Sequence, residues 1–218
     1  MESWRRTLKD KYDMNVGVID CGLGNIGSVR KMCDMAGGNT YIARTPKDLE
    51  AAERIILPGV GAFDEGMNRL QESGLKDGIL SFAKEKKKPI LGICLGMQML
   101  GLGSEEGSQA GLGLIQSTCV KFNFNEIGLK VPHMGWDNIN REITHPLLRS
   151  VTNLSRYYFV HSYYMECSSQ ENVLATCSYG AKFTVAVANH NVSGVQFHPE
   201  KSQKYGLALF KDFMRWEL

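Results

Sequence analysis

Pro89-Ile90-Leu91-Gly92-Ile93-Cys94-Leu95-Gly96-Met97-Gln98 is the stretch on which the fold turns. Ile90 to Ile93 is a short apolar run of the kind that forms a buried strand. Leu95, Met97, Met99 and Leu100 then suit a helix. Between them lies Gly-x-Cys-x-Gly, the thiol counterpart of the Gly-x-Ser-x-Gly elbow that lifts a nucleophile onto a sharp strand-to-helix turn. Such a turn strains its central residue and crowds the neighbours, which Gly92 and Gly96 would relieve. A sulfur held there is exposed beside a helix N-terminus, where the dipole favours an anion. The Leu95 amide would point to where a carbonyl oxygen gains charge. With 23 glycines in the chain, chance is an equal explanation of the elbow taken alone.

Gly194-Val195-Gln196-Phe197-His198-Pro199-Glu200-Lys201-Ser202 supplies the second element. Val192 to Phe197 reads as a late strand. In extended chain, residues i and i+2 point the same way, so His198 and Glu200 share a side and Pro199 stiffens the link. A carboxylate next to an imidazole fixes its tautomer and stabilises its charged form. An isolated His-Pro-Glu is more simply a strand-end histidine beside a solvated glutamate. Elbow and His-Pro-Glu together, in that order, point to a Cys94, His198, Glu200 triad and to attack of a thiolate on a carbonyl.

Working outward from the elbow, strands alternate with amphipathic helices. Val16 to Ile19 is a strand, Gly22-Leu23-Gly24 its turn, and a helix follows to Ala36, stopped by Gly37-Gly38-Asn39. Thr40 to Ala43 and Arg54 to Leu57 are further strands, and Pro46 opens a short helix. Phe63, Met67 and Leu70 form a buried helical stripe, and Leu75 to Lys87 is the helix before the elbow strand. The run Lys84-Glu85-Lys86-Lys87-Lys88 reads as its solvated end. This rhythm predicts an α/β fold, a central, mostly parallel, twisted sheet flanked by helices. From Leu114 to Phe197 the short β runs predict an additional, mainly antiparallel portion. A helix from Tyr205 to Trp216 closes the chain, with Leu207, Leu209, Phe210, Phe213 and Met214 apolar. Residues 14–218 read as one domain, and residues 1–13 as a flexible extension with no apolar segment behind its basic cluster, hence not a secretory signal.

Composition narrows the function classes. A chain of 218 residues, 43% hydrophobic and 22% charged, has the make-up of a single globular domain. A formal net charge of +2 gives no reason to expect nucleic acid or a membrane surface as partner. No apolar run approaches the ~20 residues of a spanning helix. Cysteines 21, 33, 94, 119, 167 and 177 form neither a CxxC pair nor a zinc spacing, so no metal is expected. A thiol nucleophile needs a reducing compartment, which makes a cytoplasmic location the expectation. Gly22, Gly24 and Gly27 match a Gly-x-Gly-x-x-Gly spacing, but a lone match of this kind is weak, and a nucleotide site is not expected.

These motifs resemble the class I, triad-type glutamine amidotransferases, and within them the flavodoxin-like glutaminase subunits of imidazole glycerol phosphate synthase. The resemblance runs from Met14 to the end of the chain. Asp20-Cys21-Gly22-Leu23-Gly24-Asn25, Leu57-Pro58-Gly59-Val60-Gly61-Ala62-Phe63, the elbow, Val131-Pro132-His133-Met134-Gly135-Trp136, Tyr158-Phe159-Val160-His161-Ser162-Tyr163 and Gln196 to Ser202 carry it. It implies that Val60, Gly61 and Leu95 hold an oxyanion. It implies that Gly59, Gln98, His161, Ser162 and Tyr163 contact L-glutamine, the last three largely through backbone. No cofactor is implied. The implied partner is a (β/α)8-barrel cyclase subunit that receives ammonia in a heterodimer and makes imidazole glycerol phosphate and a carboxamide nucleotide in histidine biosynthesis. Asn25, Met134, Trp136, Tyr158 and Lys201 are its implied contacts.

Two residues depart from the resembled pattern. Cys21 stands where tyrosine is commoner, and Asp137 stands where the family usually has asparagine. A carboxylate accepts hydrogen bonds but does not donate as an amide does. Paralogues of this subunit feed ammonia to sugar-modifying enzymes of surface-polysaccharide pathways, and the two departures together with the long N-terminus keep that acceptor open as an alternative. A regulatory protein that docks without turnover is the non-enzyme alternative. The complete triad, the glycine-rich turns and Gln98 argue against it.

Overall fold

The structure is a computed structural model that describes residues 14–123 and 128–218. The expected extension at residues 1–13 lies outside the described residues.

Five strands build the parallel centre: β1 (Asn15–Ile19), β2 (Asn39–Ala43), β3 (Arg54–Gly59), β4 (Ile90–Cys94) and, much later in the chain, Val192–Val195. Their order is β2-β1-β3-β4 followed by Val192–Val195, every neighbouring pair parallel. This order, with its reversal at β1, is the doubly wound pattern in which ligands bind beyond the carboxyl ends of the strands. Helices α1 (Ile26–Met35), α2 (Phe63–Glu72) and α3 (Leu75–Lys84) are the connections, and α4 (Leu95–Met99) follows the elbow. Strands β3 and β4 are buried at every residue, as strands covered on both faces must be.

Alternation sorts the core into two layers. Val16, Val18, Ile56, Leu91 and Ile93 pack on one face, with Val29 and Cys33 of α1 and the C-terminal helix α5 (Gln203–Met214). Ile19, Ile55, Leu57 and Ile90 pack on the other, with Phe63, Met67 and Leu70 of α2 and Leu75, Ile79 and Phe82 of α3.

The antiparallel portion is continuous with the central sheet. The remaining strands are β5 (Gly103–Ser104), β6 (Ser117–Lys121), β7 (His133–Asn138), β8 (Asn140–Arg141), β9 (Arg156–His161), β10 (Tyr163–Cys167), β11 (Val173–Tyr179) and β12 (Ala181–Asn189), which makes Val192–Val195 β13. Beyond β13 the sheet continues through β12, β10, β6 and β5, with β11 and β8 branching from β12. Strands β7 and β9 form a separate antiparallel ribbon that pairs His133 with His161 and Trp136 with Tyr158.

Several expected boundaries shift. Helix α3 ends at Lys84, short of Lys87, because Lys87 takes a positive φ of 50° and the chain turns into β4. Lys84 to Lys87 are exposed, as expected of a solvated run, and Lys88 alone turns inward, its Nζ donating to the Ala52 carbonyl at 2.6 Å and lying 5.7 Å over the Phe82 ring. Strand β13 ends at Val195, two residues before Phe197; Gln196 N still donates to the Val185 carbonyl of β12, after which the backbone turns away and His198 N bonds to the Tyr158 carbonyl of β9. Helix α5 starts and stops two residues earlier than its apolar pattern suggests, and Trp216 packs as a buried residue just past its end.

Candidate active site

Cys94 ends β4 and caps α4 with φ 55° and ψ −113°, a conformation that side-chain-bearing residues seldom adopt. What holds it there is the closeness of the backbone on either side. A Cβ on Gly96 would fall 1.7 Å from the Leu57 carbonyl oxygen, so only glycine lets α4 seat against β3. The strain concentrates at the residue whose sulfur must stand clear of the sheet.

His198 leaves the end of β13 and is 2% exposed. Its Nδ1 meets Glu200 Oε1 at 2.8 Å, and both side chains are 3% exposed. Its backbone is fixed from two sides: N–H donates to the Tyr158 carbonyl, and Ser202 Oγ donates to the His198 carbonyl at 2.6 Å. Nε2 is buried with no hydrogen-bond partner of good geometry. Burial opposes charge on this ring, but Cys94 and Glu200 outweigh it and push the imidazole up to about 9. An imidazole that feels a carboxylate on one side and a sulfur on the other is equipped to take a proton and return it.

A cavity of about 350 Å³ opens over this group, lined by Val60, Gly61, Cys94, Leu95, Gln98, Glu106, Pro132, Val160, His161, Ser162, Tyr163, His198 and Lys201. Of the five residues expected at the substrate, Gln98, His161, Ser162 and Tyr163 line it and Gly59 does not. Gly59 lies opposite Cys94 in the β3–β4 register, against Leu95 and Gly96. The three expected oxyanion residues all reach the cavity wall. Gly61 has φ 102° with open space where a Cβ would stand, and Val60 is 42% exposed.

Gln98 is buried, and its Nε2 donates to the Tyr163 carbonyl at 3.3 Å and to Gln196 Oε1 at 3.1 Å. Gln196 in turn directs Nε2 at Cys94 Sγ, 3.7 Å away. Gln196 was not singled out from the sequence, although it precedes His198 by two residues in extended chain, the same parity that paired His198 with Glu200. Glu106 was also missed. It arrives from a loop 43 residues after Phe63, whose N–H it accepts at 2.9 Å, and puts a carboxylate into the cavity. No local spacing announces such a residue.

Of the expected partner contacts, Met134, Trp136, Tyr158 and Lys201 lie on or against the β7–β9 ribbon, and Asn25 stands at the start of α1, which packs against the turn that carries Lys201. Met134 is 61% exposed and Trp136 36% exposed. The Trp136 ring meets Tyr158 edge-on at 6.2 Å, and Lys201 Nζ lies 5.5 Å over the Tyr158 ring. Asn25 instead caps α1, its side chain accepting from Ser28 N at 3.2 Å. Asp137 turns to His133, with Oδ2 2.7 Å from Nε2. In the first turn, Asp20 binds its own loop at Gly22 N and pairs with Arg44. Among the described residues no group of three His, Cys, Asp or Glu side chains is arranged to hold a metal ion, and no helix is long and apolar enough to cross a membrane.

Comparison with known proteins gives the same frame. A subunit named imidazole glycerol phosphate synthase subunit HisH 2 from Pseudomonas aeruginosa is 50% identical over 197 residues, covering 90% of this chain and 97% of the relative. One of the same name from Methanococcus maripaludis is 44% identical over 200 residues, covering 92% and 98%. Among solved structures, the Thermotoga maritima structure titled PurLQS aligns with a TM-score of 0.72 at 19% identity, over 93% of this chain and 98% of that one, a likeness of fold. Residues 17–216 match the family described as glutamine amidotransferase class-I. This chain belongs to the class I glutamine amidotransferase family.

Proposed function

We propose that the chain is the glutaminase subunit of an imidazole glycerol phosphate synthase, hydrolysing L-glutamine and passing ammonia to a cyclase partner. The observation that carries the chemistry is a cysteine held at positive φ on the cavity floor, acting on an imidazole that Glu200 orients at 2.8 Å. The HisH names of the relatives favour this acceptor over a sugar.

Cys94 Sγ attacks the side-chain amide carbon of glutamine while His198 holds the thiol proton. Charge collects on the amide oxygen and is met by the Leu95 amide and the Val60-Gly61 backbone. One donor of this kind is worth about 10²–10³ in rate. His198 gives its proton to the departing nitrogen, ammonia leaves, and a thioester remains. Water, deprotonated by His198, opens the thioester to glutamate and restores the thiol. Glu106 gives the α-ammonium group an opposite charge, and Gln98, with its N–H groups turned inward, offers it Oε1 as acceptor.

The test is glutamate release by the purified chain with and without its cyclase partner. Release should require Cys94, so Cys94→Ala abolishes it while the complex still forms. Release undiminished in Cys94→Ala, or absent from the parent complex, refutes the assignment.

A further inference from the structure

Three hydrogen bonds run end to end from the surface to the cavity wall. Asp137 Oδ2 meets His133 Nε2 at 2.7 Å, His133 Nδ1 meets His161 Nε2 at 3.0 Å, and His161 Nδ1 meets the Tyr163 carbonyl at 2.8 Å. Both ends of this chain only accept: one is a backbone carbonyl and the other, when ionised, a carboxylate. Each bond needs one proton between its atoms. Two neutral imidazoles bring two ring protons, so three bonds require a third.

His161 does not hold it. Burial, then the neighbouring His133 and His198, push that imidazole down to about 3, and its bond to the Tyr163 carbonyl offsets this only in part. The third proton therefore belongs to the His133–Asp137 pair. The surroundings suit a charged ring there. His133 is stacked between Tyr179 at 4.4 Å and Phe159 at 4.8 Å, with Phe183 edge-on at 5.7 Å, and aromatic faces attract cations. The titratable and charged groups around the pair are His161 and Arg156 from β9, Cys177 and Tyr179 from β11, and His198 beyond His161.

The far end of the chain matters to the reaction. The Tyr163 carbonyl that accepts from His161 also accepts from Gln98, and Gln98 reaches Cys94 through Gln196. We propose that Asp137 and His133 are positioning residues of the glutamine site, and that their chain, carrying one proton beyond two neutral imidazoles, fixes the Tyr163 carbonyl and through it the orientation of Gln98. The proposal rests on the glutaminase reading for its kinetic arm and on the chain alone for its spectroscopic arm.

The experiment combines ¹⁵N NMR of the histidine rings in the full-length chain, free and in complex, with glutamine kinetics of the complex. In the parent, the three bonds put a proton on each His133 ring nitrogen. In Asp137→Asn the amide donates to Nε2, so the chain persists with a neutral His133. Asp137 is 42% exposed, so neither substitution threatens folding. Asp137→Ala raises KM for glutamine about 3- to 10-fold, the scale of one lost hydrogen bond, with little change in kcat. Asp137→Asn keeps the parental KM, because its amide donates the third proton that the chain of bonds needs. A His133 ring that lacks a proton on either nitrogen in the parent, or an unchanged KM in Asp137→Ala, overturns the proposal. A parent complex that hydrolyses no glutamine refutes the glutaminase reading instead, and the ring spectra then decide the proton chain by themselves.

Discussion

His198 concentrates the chemistry of the site in one side chain, and its charge has a calculable sign. Its folded value, about 9, stands above the ordinary 6.5 because Cys94 and Glu200 overcome the opposing effect of burial. A raised value means that the folded state holds the proton more tightly than the unfolded one. The stability this contributes is complete below about pH 6.5 and lost as pH climbs through about 9. Urea midpoints of the parent and His198→Asn should therefore differ more at pH 6 than at pH 10 (each set roughly a unit or less outside that window). A gap equal at both would show that the imidazolium contributes nothing. In turnover, His198→Asn lowers kcat by about 10²–10⁴, the usual share of general acid–base catalysis. Glu200→Gln removes a charge that supports the imidazolium, so the basic limb of the kcat/KM profile should move to lower pH. A basic limb that stays in place would mean the carboxylate does not act on the ring. At this scale the sequence was informative only where residues are near neighbours. His198 and Glu200 are two apart and their parity is visible. His133 and His161 are 28 apart and meet through the β7–β9 register, which nothing in either segment specifies.

The elbow shows how an element is fixed by what it lacks. Strand β4 runs buried to Cys94, and α4 must cross back over it at once. Gly96 permits this, since a Cβ would meet the Leu57 carbonyl at 1.7 Å. Gly96→Ala should therefore cost about 1–3 kcal/mol or more as overpacking against an immovable backbone atom. For a chain of this size that corresponds to a Tm loss of about 2–4 °C per kcal/mol. Gly61→Ala presents the opposite case. Its Cβ meets nothing within 4 Å, but φ is 102°, so relief of strain would turn the peptide that faces the cavity. It should lower Tm less than Gly96→Ala and, of the two, lose kcat with the fold intact. Thermal melts and glutaminase rates of both variants check this, and a Gly96→Ala protein as stable as the parent would contradict the packing argument. The parallel half was legible because each strand carries its own apolar run and each helix its own stripe. The antiparallel half was legible as short β runs but not as an arrangement. Its strands join the same sheet through β12, while β7 and β9 leave it to form a ribbon, and that choice depends on pairings made far along the chain.

Taken as a whole, the molecule sets the β7–β9 ribbon, with Met134 and Trp136 exposed, against the turn that carries His198 and Glu200. Met134 and Trp136 stand on β7, Tyr158 faces Trp136 across the register, and Lys201 lies over the Tyr158 ring next to Glu200 in sequence. The Tyr158 carbonyl meanwhile accepts the His198 N–H. A body pressing on Trp136 would thus act on the residue that holds the His198 backbone, which gives a physical route from docking to turnover. If this ribbon is the cyclase contact, Trp136→Ala should weaken the complex by about 2 kcal/mol or more, the scale of a buried aromatic anchor, or roughly thirtyfold in Kd. Its Tm should hold, because more than a third of the residue is already in solvent. Lys201→Ala should reduce partner-stimulated turnover more than affinity, because it loosens the contact over Tyr158 without removing the anchor. The double variant should lose less affinity than the sum of the two, since both side chains act through one ring. Calorimetric titration of the cyclase into each variant, alongside glutamate release at saturating partner, separates these effects. Strict additivity of the two losses would place Lys201 and Trp136 in independent contacts and break the proposed link between the ribbon and His198.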